Sequence, residues 1–83
     1  MDYAIYKTLN GSAPRTIHRF TQADCNHRAM KAARAKLDDM RYHVIQRPAI
    51  FRNFAGSTKS FEYDHITSAN TTDHIKFYIS ELR

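Results

Sequence analysis

The sequence predicts an α+β fold in which one main amphipathic helix packs on one face of a small antiparallel sheet of four to five strands. Two segments with period-two alternation come first, and a long segment of helix formers without Gly or Pro follows them. The rest of the chain is rich in β-branched and aromatic residues, which favour strands. We therefore expect the element order β-β-α-β-β-β, with the last element left open between a strand and a helix.

The length of the chain predicts a single domain. With 83 residues (1–83) and an apolar share of 42%, the chain can build one compact core and is unlike a disordered segment. A domain of this size buries only about 60% of the surface of its unfolded chain. Little room is left for a deep substrate cleft.

The first two strands are expected to form a hairpin. Residues 2–9 (DYAIYKTL) alternate between two sides, and residues 15–20 (RTIHRF) have a similar strand-like composition. The segment between them, 10–14 (NGSAP), has turn chemistry, because Asn-Gly supports positive φ and Pro14 resists continuing the ladder.

The helix is predicted over residues 22–41. Thr21 and Asp24 form a capping box at its start, in which the Thr side chain accepts from the backbone N–H three residues later. A step of 100° per residue gives one apolar side made mostly of small residues, which let a helix lie close to a sheet. This side consists of Cys25, Ala29, Ala32, Ala33, Leu37 and Met40, with Met30 at its border.

The second half of the chain predicts further strands. Residues 42–54 are β-branched and aromatic, with Pro48 expected to mark a bend, an edge or a bulge. Residues 59–66 alternate with period two, and 67–73 form a polar loop. Residues 74–82 fit both the strand period of two and the helical period, and their β-branched and aromatic content favours a strand.

The charge of the chain favours an anionic partner. Thirteen Lys and Arg against eight Asp and Glu give a net charge of +5 and a pI near 9.7, which suits nucleic acid or an acidic protein surface.

The single Cys25 indicates a reducing cytosol, and no segment has the length of a membrane span. The start MDYAIYKTLN lacks the apolar region of a signal peptide. We therefore expect a cytoplasmic protein that does not bind a membrane.

A basic surface is the predicted binding site. The polar side of the helix carries cations next to His27, and the segment QRPAIFRNF alternates Arg with Phe. Arginine beside exposed rings can stack on unpaired bases, although a solvated helix face and core rings are the alternatives. The candidate residues are Arg28, Lys31, Arg34, Arg41, Arg47 and Arg52, with Phe51 and Phe54 as possible aromatic contacts.

The five histidines predict neither a metal site nor a cofactor. Zinc sites use closely spaced ligand pairs, and the one close pair here, Cys25 and His27, diverges by about 160° on a helix. The remaining histidines are placed singly on separate elements. One tripeptide is repeated, since Asp-His-Ile occurs at 64–66 and again at 73–75. If these segments flank a hairpin, we expect His65 and His74 to lie near one another.

One resemblance points to catalysis by these two histidines. The segment HITS (65–68) resembles the H-x-[ST]-x motif of the two-histidine phosphoesterases, in which paired histidines act as acid and base on a phosphodiester. The second copy, HIKF (74–77), has Lys76 where that family has a hydroxyl residue. A small phosphodiesterase that uses His65 and His74 is therefore an alternative to a binding protein.

A second resemblance covers most of the chain. The first strand begins almost at Met1, and the helix of TQADCNHRAMKAARAKL (21–37) packs on a small antiparallel sheet. In this order and size the chain resembles the small host-takeover and anti-defence proteins of bacteriophages, including anti-CRISPR proteins. The resemblance implies a non-catalytic inhibitor in the cytoplasm of a bacterial host. Such a protein docks on a host protein or ribonucleoprotein complex and blocks its nucleic-acid site. Direct binding of RNA or DNA is the other alternative.

Overall fold

The α+β architecture is confirmed by a computed structural model, which describes residues 1–47 and 51–82, with Phe51 and Arg52 described by their backbone alone. The chain forms five strands and one helix in the expected order β-β-α-β-β-β. The elements are β1 (Tyr3–Leu9), β2 (Arg15–Phe20), α1 (Ala29–Ile45), β3 (Phe51–Gly56), β4 (Ser60–Ser68) and β5 (Thr71–Glu81). The last element is a strand, as its composition favoured. None of the helical structure in these residues is long and apolar enough to span a membrane.

The five strands form one antiparallel sheet in the order β2-β1-β5-β4-β3. The C-terminal strand β5 therefore lies at the centre, between β1 and β4. The first hairpin closes as predicted, because Asn10 and Gly11 both have positive φ (53° and 75°) and Ser12 N donates to Leu9 O at 3.0 Å.

The core lies between α1 and one face of the sheet. The register pairs Ile5 with Ile79 and Phe61 with Phe77, so alternate residues of the central strands share this face. Phe61 and Phe77 place their ring centroids 5.1 Å apart. The buried cluster is Ile5, Ala33, Leu37, Phe61, Ile75, Phe77 and Ile79. The opposite face of the sheet, which we call the open face, is covered by no other described element.

The helix begins later than predicted. Thr21 Oγ1 does accept a hydrogen bond from Asp24 N at 3.1 Å, but this cap closes only irregular turns. Asn26 and His27 have φ of 50° and 67°, the left-handed region, which interrupts a right-handed helix. The helix starts at Ala29, so Cys25 lies before it and is not part of its apolar side.

The helix also ends later than predicted. Residues 42–45 were expected to open a strand, and they form the last turn of α1 instead. Val44 packs against the buried cluster, and this tertiary contact outweighs the weak helix propensity of a β-branched residue. The effect predicted for Pro48 falls outside the described residues.

The molecule is elongated. Its Cα radius of gyration is 13.7 Å, against about 12 Å for a compact chain of this length. The principal extents are 46 × 26 × 16 Å. Helix α1 packs on β1, β2 and β5, so the sheet extends beyond the helix toward β3. A flat shape of this kind offers broad surfaces.

Candidate binding surfaces

Three predicted cations lie together on the first half of α1, and we call Arg28, Lys31 and Arg34 the basic stripe. All three residues are exposed. Among the described residues, no carboxylate lies within 4 Å of any of them. Their spacing of three residues places neighbouring cations on adjacent turns of the helix. The stripe is therefore a positive surface that the described part of the protein leaves unneutralised.

The start of α1 adds to this positive charge. Arg28 occupies the N-cap position and makes no side-chain capping hydrogen bond, and the first turn contains no acidic residue. Helix N-termini carry a partial positive charge, which favours anions and disfavours cations. Arg28 and Lys31 therefore stand where they lower the stability of the helix.

The other predicted cations lie apart from the basic stripe. Arg41 pairs with Asp38, and its side chain is only 22% exposed. Arg47 is beyond the other end of α1, a helix of about 25 Å. Burial raises the pKa of Tyr63, and the positive charge of Arg47 partly offsets this effect, which places Arg47 near the β4 side of the molecule. The side chains of Arg52 and Phe51 lie outside what the structure describes.

Phe54 belongs to the margin of the core. Its ring is half-buried and stacks on Phe61 with centroids 5.9 Å apart. The strand around it is irregular, since the β3–β4 register shifts between Arg52 and Ala55, and Asn53 has a φ of 55°. The ring of Phe54 therefore packs at the edge of the core, which was the alternative to an exposed aromatic contact.

The two Asp-His-Ile segments lie on the two strands of a hairpin, β4 and β5, as expected. Their histidines, however, do not form the expected pair. In the antiparallel register Asp64 is paired with His74 and His65 is paired with Asp73. Since neighbouring residues of a strand point to opposite faces, His65 and His74 lie on opposite faces of the sheet. The two residues are neighbours in the ladder, but their side chains point to opposite sides and do not meet. They do not form a dyad that could act on one substrate atom.

On the open face, His74 lies between two carboxylates. Its Nδ1 is 2.8 Å from Asp64 Oδ1 and its Nε2 is 2.8 Å from Glu62 Oε2. The hydrogen bond to Asp64 is the largest cause that raises the pKa of His74 above its ordinary value, and the hydrogen bond to Glu62 is the next. Asn53 Nδ2 donates to the second oxygen of Asp64 at 2.7 Å. Both ring nitrogens are engaged, which leaves His74 no free nitrogen for acid–base chemistry.

Metal ligands do not converge anywhere in residues 1–47 and 51–82. No group of three or more His, Cys, Asp or Glu side chains there could hold an ion. A depression of about 300 Å³ lies at the β4–β5 turn, and another of about 210 Å³ lies beside Lys7 and Arg15. Neither includes His65 or His74 in its lining.

The open face also carries a pair of tyrosines that the sequence analysis did not single out. Tyr6 of β1 and Tyr78 of β5 are register partners, with ring centroids 5.4 Å apart and an angle of 23° between ring planes. Lys76 Nζ lies 5.8 Å from the centroid of Tyr78. The period-two alternation of 2–9 already separated Tyr6 from Ile5, but its partner depended on a register that the sequence does not reveal.

Comparisons of the chain with protein-family models, with curated proteins and with solved structures each gave no significant match. The surfaces themselves therefore carry the functional argument.

Proposed function

We propose that the protein is a non-catalytic binding protein that docks on an anionic partner through the basic stripe. The observation that carries this proposal is the exposure of Arg28, Lys31 and Arg34 without a neighbouring carboxylate among the described residues. Like charges three residues apart on a helix repel one another, and two of these cations also oppose the helix dipole. An anionic partner would turn this unfavourable arrangement into a favourable one.

Binding is favoured over catalysis by the geometry of the histidines. His65 and His74, the candidate acid and base, lie on opposite faces, and the ring of His74 is held by Glu62 and Asp64. A phosphodiesterase that uses this pair has no support in the arrangement.

The small size, the early first strand and the single helix on an antiparallel sheet resemble phage anti-defence proteins of the anti-CRISPR kind. We propose accordingly that the protein inhibits a bacterial nucleic-acid-handling complex, in defence or in transcription, by covering its nucleic-acid site. An acidic protein surface beside that site would offer the negative charge that the stripe requires.

Capture from a bacterial lysate, with and without nuclease, tests the proposal. The tagged protein is compared with the triple variant Arg28→Gln, Lys31→Gln, Arg34→Gln. The control variant Arg15→Gln, Lys36→Gln, Lys59→Gln removes the same number of positive charges from positions outside the basic stripe. We expect a defined protein complex that survives nuclease, is retained by the control variant and is lost by the stripe variant.

Two results would contradict the proposal. A partner that disappears with nuclease would mean capture through nucleic acid alone. Equal capture by the stripe variant and the control variant would show that net charge, and not the stripe on α1, is responsible.

A further inference from the structure

The tyrosine pair lies on the side of the sheet away from α1, where the proposed docking function makes no use of it. Both side chains are partly exposed, and the described helix packs on the opposite face of the sheet. Neither Tyr6 nor Tyr78 has a hydrogen-bond partner for its hydroxyl among the described residues. Aromatic rings with an apolar body and an unused polar tip are typical of recognition surfaces.

We propose that the open face binds single-stranded nucleic acid, with an unpaired base stacking on the rings of Tyr6 and Tyr78 and its phosphates approaching Lys76 and Arg19. This inference does not depend on the basic stripe, which belongs to the other side of the molecule.

The cations of the open face are placed for this role. Lys76 lies over the ring of Tyr78, and Arg19 is exposed on β2 in register with Ala4, which shares the face of Tyr6. Within the described residues neither cation has a carboxylate within 4 Å. Proteins that bind single strands combine such a positive track with rings on which bases of any sequence stack.

The acids of the same face do not prevent this. Glu62 and Asp64 both contact His74, so the protonated imidazole offsets part of their charge. The hydrogen bonds to these carboxylates raise the pKa of His74, which keeps the proton on the ring to higher pH than usual. Lys76 and Arg19 balance the charges of Glu62 and Asp64, and a proton on His74 adds a further positive charge.

The shape of the face selects a single strand over a duplex. The whole molecule is only 16 Å thick, and its described helix lies on the other side of the sheet, so no described helix projects from this face to enter a groove. A stacking ring needs the exposed flat side of a base, which only an unpaired base presents. Sequence specificity is not expected, because every base has such a side.

Fluorescence anisotropy with a labelled oligothymidylate of about 12 nucleotides tests the inference, and a duplex of equal length serves as the competitor. The variants are Tyr6→Leu and Tyr78→Leu, with Tyr6→Phe and Tyr78→Phe as the forms that keep the ring. Tyr42→Leu is the matched control, since Tyr42 is 61% exposed on α1.

We expect each Leu variant to weaken binding by about 5- to 150-fold, the range that corresponds to the loss of one stacked base. The Phe variants and Tyr42→Leu should bind as the wild type does, and the duplex should compete poorly. The variant Arg19→Gln, Lys76→Gln changes exposed side chains and should reduce the salt dependence of binding, as expected for about two lost phosphate contacts.

Circular dichroism establishes that each variant is folded before it is compared. Unchanged affinity in folded Leu variants would overturn the inference, as would equal competition by polyglutamate, a polyanion without bases. If a Leu variant fails to fold, an unchanged salt dependence in the Arg19→Gln, Lys76→Gln variant overturns it instead. The triple variant of the basic stripe should retain the tyrosine-dependent binding, so failure of one proposal is distinguishable from failure of the other.

Discussion

Asn10 joins the β1–β2 turn to the central strand β5 through both its backbone and its side chain. Its amide Nδ2 donates to Asp73 Oδ1 at 3.0 Å, and its Oδ1 accepts from His74 N at 2.7 Å. Its backbone N donates to His74 O at 2.8 Å, while its φ is 53°. Asn tolerates this left-handed conformation and also provides both hydrogen bonds, which makes one turn residue a link across the sheet.

Replacement of Asn10 should therefore separate the contribution of its left-handed backbone conformation to stability from that of its side-chain hydrogen bonds. Asn10→Gly keeps the conformation and loses two exposed hydrogen bonds, at a cost of about 1 kcal/mol in the free energy of unfolding. Asn10→Ala also forces a left-handed Ala and should cost about 1 kcal/mol more. Urea denaturation measures both. Equal stability of the Gly and Ala variants would contradict this role.

His74 makes the stability of the fold depend on pH. The carboxylates of Asp64 and Glu62 raise the pKa of His74 in the folded state. The stabilisation is thus fully present below the unfolded pKa of about 6.5, and it is lost as the pH rises through the folded value. We expect the wild type to lose stability relative to His74→Gln as the pH rises above the unfolded pKa of about 6.5. A parallel pH dependence of the two proteins would refute this.

At the scale of the element, α1 gives up stability at its first turn. The turn has cations, no acid and no side-chain cap, and its start is delayed by the left-handed Asn26 and His27. Its second half is held by buried packing, since Leu37 is fully buried and Val44 contacts the cluster. The helix is stabilised from the core side, while its N-terminal part presents the basic stripe to solvent.

A charge reversal in this turn should stabilise the helix. Lys31→Glu places an acid three residues after the N-cap, where it favours the dipole and removes repulsion with Arg28 and Arg34. We expect a gain of about 1 kcal/mol in the free energy of unfolding, together with loss of partner capture. Lys36→Glu, the same charge change in the middle of α1, should give no gain. Destabilisation by Lys31→Glu would contradict our account of the stripe.

At the scale of the whole molecule, sequence reasoning recovered the architecture and missed the relations between strands. Alternation and turn chemistry located β1, β2, β4 and β5 to within a few residues, because these signals are local, whereas the start of β3 was predicted too early because residues 42–45 belong to α1. The open-face sites depend on which residues of distant strands meet. The pairing of Tyr6 with Tyr78 follows from β5 entering the centre of the sheet beside β1, and that of Asp64 with His74 from the β4–β5 register, which shifts between Ile66 and Ser68.

The sequence predicted the cations of the basic stripe, but it did not separate them from cations that lie elsewhere in the fold. A helical period identified Arg28, Lys31 and Arg34 on one side, and it grouped Arg41 with them. Only the folded structure shows that Arg41 turns to Asp38 and that Arg47 lies beyond the far end of the helix. The local pattern defines a side of the helix, whereas ion pairing decides which of its charges remain available.

The molecule as a whole presents two different surfaces on its two sides: the basic stripe on α1, which we propose to bind an anionic protein, and the tyrosine pair on the open face, which we propose to bind a single strand. The most direct measurement is a pair of NMR titrations of one isotopically labelled sample. Addition of oligothymidylate should shift the backbone amides of β1 and β5 around Tyr6 and Tyr78, and addition of the captured partner should shift those of residues 28–35. The central claim is contradicted if both ligands shift the same set of amides.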